Sequence, residues 1–284
     1  MRLAGTVILY HPTAEMIQNI LSWLPEIDIL YVFDNTETSS SKITSPLQDN
    51  PKIIYNSAGV NRGIAARLNQ AAKLAISHKF SWLLTMDQDS FFDDGELSNY
   101  KTCIDLYNGF EKVAMFGVEF ENAKPQKPGK CSSLAVQHLI TSGSILNLQL
   151  FATVGDFDEN YFIDCVDTEY CFRSISIGFS IVKFESIYLN HSLGEIKLYR
   201  SLLTLKLTPR TFHSPLRIYY MVRNFLLLSG SYKGKFDNEL KVIRKSILTR
   251  IKNGFLYGSN RYLLLKFILK ARKDFKNNHF GKYP

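Results

Sequence analysis

From its first residues to the middle of the chain, short apolar runs alternate with segments of helical periodicity, and each run stops at a polar turn. Leu3 to Leu9 ends at Tyr10-His11-Pro12 and is followed by Ala14 to Leu24, where Met16, Ile20, Leu21 and Leu24 share one helix face. Ile27 to Phe33 stops at Asp34-Asn35, and a polar loop, Thr36 to Ser41, follows. Lys52 to Tyr55 predicts another short strand, and Asn61-Arg62-Gly63 introduces an alanine-rich helix, Ile64 to Ser77. Trp82 to Met86 reads as a buried strand that terminates in Asp87-Gln88-Asp89. This alternation predicts an α/β fold with a mostly parallel central sheet flanked by helices. Ligands of such sheets lie beyond the carboxyl ends of the strands, so Asp34 and Asp87 should face one crevice.

The chain has 284 residues, 45% of them hydrophobic, enough for one large α/β domain and a helical extension. Its net charge of +8 is uneven: residues 233–284 hold 14 Lys or Arg against three acids, Asp237, Glu239 and Asp274. The body, 1–232, therefore carries more acids than bases, and the basic helical tail, 233–284, carries the excess. A connecting segment runs from about Leu198 to Ser214. Cys103, Cys131, Cys165 and Cys171 match neither a zinc spacing nor a disulfide framework, so a reducing compartment is expected. No signal-peptide pattern opens the chain, and no apolar run approaches the roughly 20 residues that span a bilayer. In the tail, Leu240 to Ile251 and Tyr262 to Phe275 alternate apolar with basic residues at helical spacing. Two readings stand: helices on an anionic membrane surface, or helices packed on the body with a solvated face.

Two carboxylates at i and i+2 after a buried strand are costly without a counter-charge. A hard cation bridging phosphate oxygens supplies one, while a solvated turn is the alternative. The second acidic cluster, Tyr161 to Arg173, holds Asp164, Asp167 and Glu169. Asp167 fits an N-cap with Glu169 in the first turn, which leaves Asp164 among apolar neighbours unexplained. The cluster is either a capped helix or a site holding a general base. His191, after strand-like Ile187 to Asn190, is a third metal ligand or a surface histidine. His213 precedes a helix bearing Arg217, Tyr219, Tyr220, Arg223 and Asn224, which holds a phosphate or is structural.

In their order along the chain these segments resemble family 2 of the inverting glycosyltransferases, with the GT-A fold, and within it the bacterial rhamnosyltransferases that use dTDP-rhamnose. The resemblance covers roughly residues 3–228. It rests on Val7-Ile8-Leu9-Tyr10, Phe33-Asp34-Asn35, Asn61-Arg62-Gly63-Ile64-Ala65-Ala66 with Asn69, and Asp87-Gln88-Asp89-Ser90. It continues through Thr141-Ser142-Gly143-Ser144, Gly155-Asp156-Phe157-Asp158-Glu159, the second acidic cluster, His191-Ser192-Leu193-Gly194, and His213 to Asn224.

The resemblance implies a nucleotide-sugar-binding half, 1–90, and an acceptor and catalytic half, 91–232. Tyr10, Pro12, Asp34, Asn61, Gly63, Arg67 and Asp87 would line the nucleotide. Asp89 and His191 would hold Mg2+ or Mn2+. Asp167 would be the base that deprotonates the acceptor hydroxyl, supported by Asp164, Glu169 and Arg173. Ser142, Gly143, His213, Arg217, Tyr220 and Arg223 would contact donor or acceptor. The chain departs from the family's pattern after Asp34, where Asn35-Thr36-Glu37-Thr38 replaces the usual serine and further aspartate, and at Arg67, where many members have alanine.

The implied donor is dTDP-rhamnose. The implied acceptor is a saccharide, lipid-linked if the tail lies on a membrane, in surface polysaccharide assembly (O-antigen or capsule) at the inner face of the bacterial cytoplasmic membrane. A UDP-hexose donor is the alternative within the family. A nucleotidyltransferase would show a glycine-rich, Arg- and Lys-containing first loop, which Tyr10-His11-Pro12-Thr13 is not. A nucleic-acid-binding protein would leave the acids of the body without a role, so no nucleic acid partner is expected.

Overall fold

The first four apolar runs lie side by side in a computed structural model, which describes residues 1–38, 41–120, 129–191, 196–200 and 206–283. They form β1 (Leu3–Leu9), β2 (Ile29–Asp34), β3 (Ile53–Ser57) and β4 (Trp82–Asp87), all parallel, in the order β3-β2-β1-β4. Parallel strands need crossovers, and α1 (Ala14–Trp23), α2 (Ser41–Gln48) and α3 (Ile64–Ser77) provide them. Their apolar faces pack on the sheet through residues such as Ile17, Ile20 and Trp23, each almost fully buried. Thr13 caps α1 by accepting from Met16 N–H, as its position before the periodic run suggests.

Beyond β4 the sheet changes character. After α4 (Glu96–Asp105) come β5 (Val113–Phe120), β6 (Ser133–Ala135) and β7 (Ser144–Asn147), then α5 (Leu148–Val154), α6 (Val166–Ser176) and β8 (Ser180–Leu189). The eight-stranded order is β3-β2-β1-β4-β7-β5-β8-β6. β7 runs antiparallel to both β4 and β5, β5 and β8 are parallel, and β6 is an antiparallel edge. The expected parallel pattern thus holds across β1 to β4, and the remainder is mixed. An aromatic group, Tyr100, Tyr107, Phe116 and Phe184, fills the core beneath β5 and β8.

Two compact units emerge. The first comprises Met1–Glu159 and Val166–Ser192 and holds the whole eight-stranded sheet. The second comprises Asn160–Cys165 and Leu193–Pro284. In it, the antiparallel pair β9 (Ile196–Arg200) and β10 (Leu207–Thr211) precedes α7 (Pro215–Tyr232), α8 (Asp237–Tyr257) and α9 (Arg261–Lys276). Ile218, Met221, Ile247 and Leu264 form the core between these helices. The expected division at residue 232 therefore falls between two helices of one unit.

The expectation that no cysteine pairs is corrected. Cys103 on α4 and Cys131, just before β6, form a disulfide with Cα atoms 5.2 Å apart. The partners are 28 residues apart in sequence, so their proximity comes from the fold and leaves no local spacing signal. Cys165 and Cys171 remain thiols, and no helix among the described residues is long and apolar enough to cross a membrane.

Candidate functional site

The carboxyl ends of β1 and β4 are register neighbours, with Ile8 opposite Asp87. Gln88, the middle residue of Asp-Gln-Asp, turns back across them. Its side-chain amide accepts from Tyr10 N–H at 2.9 Å and donates to the Tyr10 carbonyl at 3.0 Å. This two-bond clamp fixes the direction in which Asp87 and Asp89 leave β4. Nothing in the tripeptide spacing announces it, because the partner lies 78 residues away.

Asp89 and His191 follow different strands, β4 and β8. Phe91 and Asn190 exchange two backbone hydrogen bonds of 3.1 and 3.0 Å, forming an isolated bridge that draws the two segments together. One ligand atom each from Asp87, Asp89 and His191 then lies within 4.8 Å of the others. Behind them runs a chain of hydroxyls. Asp87 N–H donates to Ser142 Oγ at 3.2 Å, Ser142 Oγ donates to buried Ser90 Oγ at 2.8 Å, and Ser90 Oγ meets His191 Nδ1 at 2.8 Å. Gly143 follows Ser142 with φ of 75°, and a Cβ there would stand 2.8 Å from the Leu189 side chain. Glycine adopts that left-handed turn without strain and without pushing on the Leu189 and Val118 side chains.

Two carboxylates and an imidazole suit a hard divalent ion such as Mg2+ or Mn2+. Ligands about 2.1 Å from a shared ion stand at most about 4.2 Å apart, a spacing that His191 Nδ1 and Asp89 Oδ1, at 3.8 Å, already meet. His191 Nδ1 lies 2.8 Å from Ser90 Oγ and 3.8 Å from Asp89 Oδ1, so the serine orients the imidazole beside the carboxylates, as supporting partners of metal-ligating histidines do.

On the β2 side, Asp34 is fully buried with both oxygens engaged: Oδ1 accepts from Thr36 N–H at 2.8 Å and Oδ2 from the Tyr55 hydroxyl at 2.7 Å. Burial and that carboxylate push the Tyr55 pKa up to about 12. Asn35 Oδ1 accepts from Arg67 Nε at 2.8 Å and from Arg62 N–H at 3.3 Å, and Asn35 donates to the Gly63 carbonyl. Asn61 Oδ1 in turn accepts from Gly63 N–H at the start of α3. Arg67 is 1% exposed, and its buried Nη2 makes no hydrogen bond among the described residues. Tyr10 is 46% exposed, Pro12 partly so.

The second acidic cluster is taken apart. α6 begins at Val166, so Asp167 sits in its first turn rather than at the expected N-cap. Asp164 and Cys165, at φ of 69° and 63°, turn the chain immediately before it, a left-handed pair that capping patterns do not predict. Asp167 accepts from Thr168 N–H at 2.8 Å and Thr141 N–H at 3.2 Å. Burial raises its pKa against the opposing pull of these bonds and of His138. Glu169 is gripped by Arg173 through two bonds of 2.9 Å, and Arg173 also reaches the carbonyls of Val154 and Asp156. That fork fastens α6 to the end of α5.

The remaining expected residues lie in the second unit. Asp164 pairs with Arg217, at 2.7 Å to Nε and 2.9 Å to Nη2. Arg223, 1% exposed, bonds Asn224, the Tyr219 hydroxyl and the Asn160 carbonyl. Buried Tyr220 accepts from Tyr283 N–H at 2.7 Å. Arg223 and Tyr220 therefore act as internal braces of that unit. His213 accepts from Arg250 Nε at 3.0 Å. Ser192 to Gly194, part of the motif around His191, lie outside the described residues.

Residues 10–101 match the sequence model of Glycosyl transferase family 2. The Shigella flexneri protein named dTDP-rhamnosyl transferase RfbF is 26% identical over 255 residues, covering 80% of this chain and 80% of that one. Among solved structures, S. aureus TarS 1-349 in complex with UDP-GlcNAc superposes with a TM-score of 0.56 at 15% identity, covering 97% of this chain and 80% of that one. GalNAc-T7 with UDP, GalNAc and Mn2+ gives 0.59 at 10% identity, covering 98% and 56%. These likenesses establish a GT-A transferase fold.

Proposed function

We propose that this chain, which carries a family 2 glycosyltransferase domain on a GT-A fold, moves L-rhamnose from dTDP-rhamnose to a saccharide hydroxyl with inversion and needs a divalent cation to do so. The observation that carries the metal is the convergence of Asp87, Asp89 and His191 from two strand ends, backed by Ser90 and Ser142. A cation held there would neutralise charge gathering on the diphosphate leaving group. Asp89 and His191 are its ligands in this reading, with Asp87 directed to the ribose or the ion's water shell. Tyr10, Pro12, Asn61 and Gly63 line the nucleotide in this reading, with Asp34 fixing the loop through Thr36 and Tyr55 and buried Arg67 fixing it through Asn35. Ser142 and Gly143 stand next to the reacting end.

Asp167 is the base. An inverting displacement needs one carboxylate that accepts the acceptor's proton as the bond to the sugar forms. Asp164 and Glu169 are each neutralised by an arginine, whereas Asp167 is held by backbone N–H groups and has its pKa raised by burial. A raised pKa makes a carboxylate a stronger proton acceptor at neutral pH. The nucleotide diphosphate named for RfbF motivates dTDP-rhamnose, and the resemblance motivates an acceptor in O-antigen or capsule assembly.

The tail supports a lipid-linked acceptor at the inner face of the bacterial cytoplasmic membrane. On α9, Tyr262 (80% exposed), Leu265 and Leu269 form one exposed stripe, flanked by Lys266, Lys273 and Lys276. On α8, exposed Val242 and Leu248 lie among Lys241, Arg244, Lys245 and Lys252. Exposed apolar residues framed by lysines suit an anionic bilayer surface. Flotation with anionic and neutral vesicles tests this part, and equal behaviour with both removes it.

The transfer itself is tested with dTDP-rhamnose, UDP-glucose, UDP-GlcNAc and UDP-galactose, each with Mn2+, following nucleotide diphosphate release in the presence of a saccharide panel. Release from dTDP-rhamnose alone, abolished by EDTA, is expected. Turnover of a UDP-sugar in preference moves the donor to a UDP-hexose, and full activity in EDTA removes the metal.

A further inference from the structure

The second unit contains a cavity of about 360 Å³ that the chemistry above does not use. Its walls come from four places: Tyr199 on β9, Phe212 to Pro215 leading into α7, the last turns of α8 with Arg250 and Tyr257, and the link Gly258 to Asn260 before α9. Tyr199 packs between Phe212 and Tyr257, with ring centroids at 4.9 and 5.5 Å, so three aromatic rings form one face.

The polar side is cationic. Arg250 lines both this cavity and an adjoining hollow of about 500 Å³, which Arg210 and Lys245 also line. The Arg210 guanidinium lies 4.2 Å over the Tyr257 ring, anchored by Asn253 at 2.9 Å. Among the described residues, no carboxylate stands within ion-pair distance of Arg250 or Arg210. His213 Nε2 accepts from Arg250, so the imidazole is neutral with its proton on Nδ1. Burial, with Arg250 and Arg217 nearby, lowers its pKa to about 4. Two long helices, α7 capped by Ser214 and α9 capped by Asn260, also begin on the wall, adding their positive ends.

Uncompensated arginine beside an aromatic face matches a ligand that is both a sugar ring and an anion. Rings stack on Tyr and Phe through their apolar C–H faces, and a phosphate or carboxylate pairs with guanidinium. We propose that this cavity is a binding site for an anionic saccharide, with the sugar against Tyr199, Phe212 and Tyr257 and its phosphate or carboxylate on Arg250. The site would retain a charged stretch of acceptor through residues that take no part in the transfer. That use rests on the saccharide-acceptor reading, while the binding itself does not.

The probes are α-glucose 1-phosphate, glucuronic acid and methyl α-glucoside, titrated into the full chain while the His213 ring signals are followed by NMR. The expected result is a saturable shift with one or both charged probes, which separates phosphate from carboxylate, and none with the neutral glycoside. Arg250→Gln should weaken the charged probe at least tenfold, and Tyr199→Leu should weaken it while leaving inorganic phosphate binding within about twofold. dTDP binding, measured separately, should be unchanged in both variants. Loss of dTDP binding in the wild-type chain would count against the donor reading alone. An unmoved His213 signal with every probe, or equal binding of the neutral glycoside, overturns the anionic-saccharide site. Should Arg250→Gln fail to fold, Tyr199→Leu and the neutral-probe comparison still decide it.

Discussion

Asp87 and Asp89 leave one strand end and stay together, joined by His191 from another, whereas the acids of the 164–169 cluster are claimed one by one. Arg217 takes Asp164, Arg173 takes Glu169, and Asp167 is held by backbone N–H groups and the Thr168 hydroxyl instead of an arginine. Acids gathered with an imidazole at one place form a donor set that suits a divalent cation. Acids already matched with arginine have their charge balanced internally and mainly fasten segments together. The difference lies in what surrounds the carboxylates, since the two clusters are comparably acidic in sequence.

Asp89→Ala should break this comparison most sharply. A bound cation supplies several kcal/mol of charge stabilisation, so donor turnover at saturating Mn2+ should fall by on the order of 10³-fold. In metal-free buffer the melting temperature should hold or rise, because one of two neighbouring like charges is gone. Turnover within a few-fold of wild type would put the metal elsewhere.

Within the second cluster, Asp167→Asn and Asp164→Asn should separate. The first keeps the shape and donor binding but removes the base, lowering kcat by ~10²-fold or more. In the wild type, kcat/KM should rise with pH through the Asp167 pKa, which burial places above the ordinary carboxylate value. Below that pKa the carboxyl is protonated and cannot accept a proton, and the Asn variant should lack this acid limb. Asp164→Asn removes a partly exposed ion pair with Arg217 and should cost about 1 kcal/mol of stability with kcat nearly kept. The reverse pattern would transfer the role of base to Asp164.

A smaller effect is expected behind the metal trio. Ser90→Ala deletes the hydroxyl that meets His191 Nδ1. Loss of such a supporting partner typically costs 10- to 100-fold in metal affinity, so a Mn2+ titration should weaken by about tenfold with little change in the fold. Unchanged affinity would mean that Ser90 merely fills the core.

Much of the scaffold was legible because its signals are local. The runs at Leu3–Leu9 and Trp82–Met86 and the helix Ile64–Ser77 carry their burial in their own periodicity, and β1, β4 and α3 follow them to within a residue. Asp34 and Asp87 fall at strand ends as the alternation requires. What the sequence hid depends on distant partners. Gln88 reaches Tyr10, Ser142 reaches Ser90, and Arg217 reaches Asp164 across sequence separations of 78, 52 and 53, with no spacing rule to join them. The same holds for Cys103 and Cys131. The start of α6 was misplaced by the left-handed Asp164 and Cys165, which a capping pattern reads as ordinary helix approach. β7 was hidden by its brevity, four buried residues that fix the antiparallel centre of the sheet.

The claim that the first cluster is a cation site for a nucleotide diphosphate is met most directly by crystals grown with Mn2+ and dTDP, measured at a wavelength where manganese scatters anomalously. The account predicts an anomalous peak in contact with Asp89 and His191, adjacent to Asp87, and bonded to a diphosphate oxygen. Bound dTDP with no such peak, or manganese held away from these side chains, would contradict it.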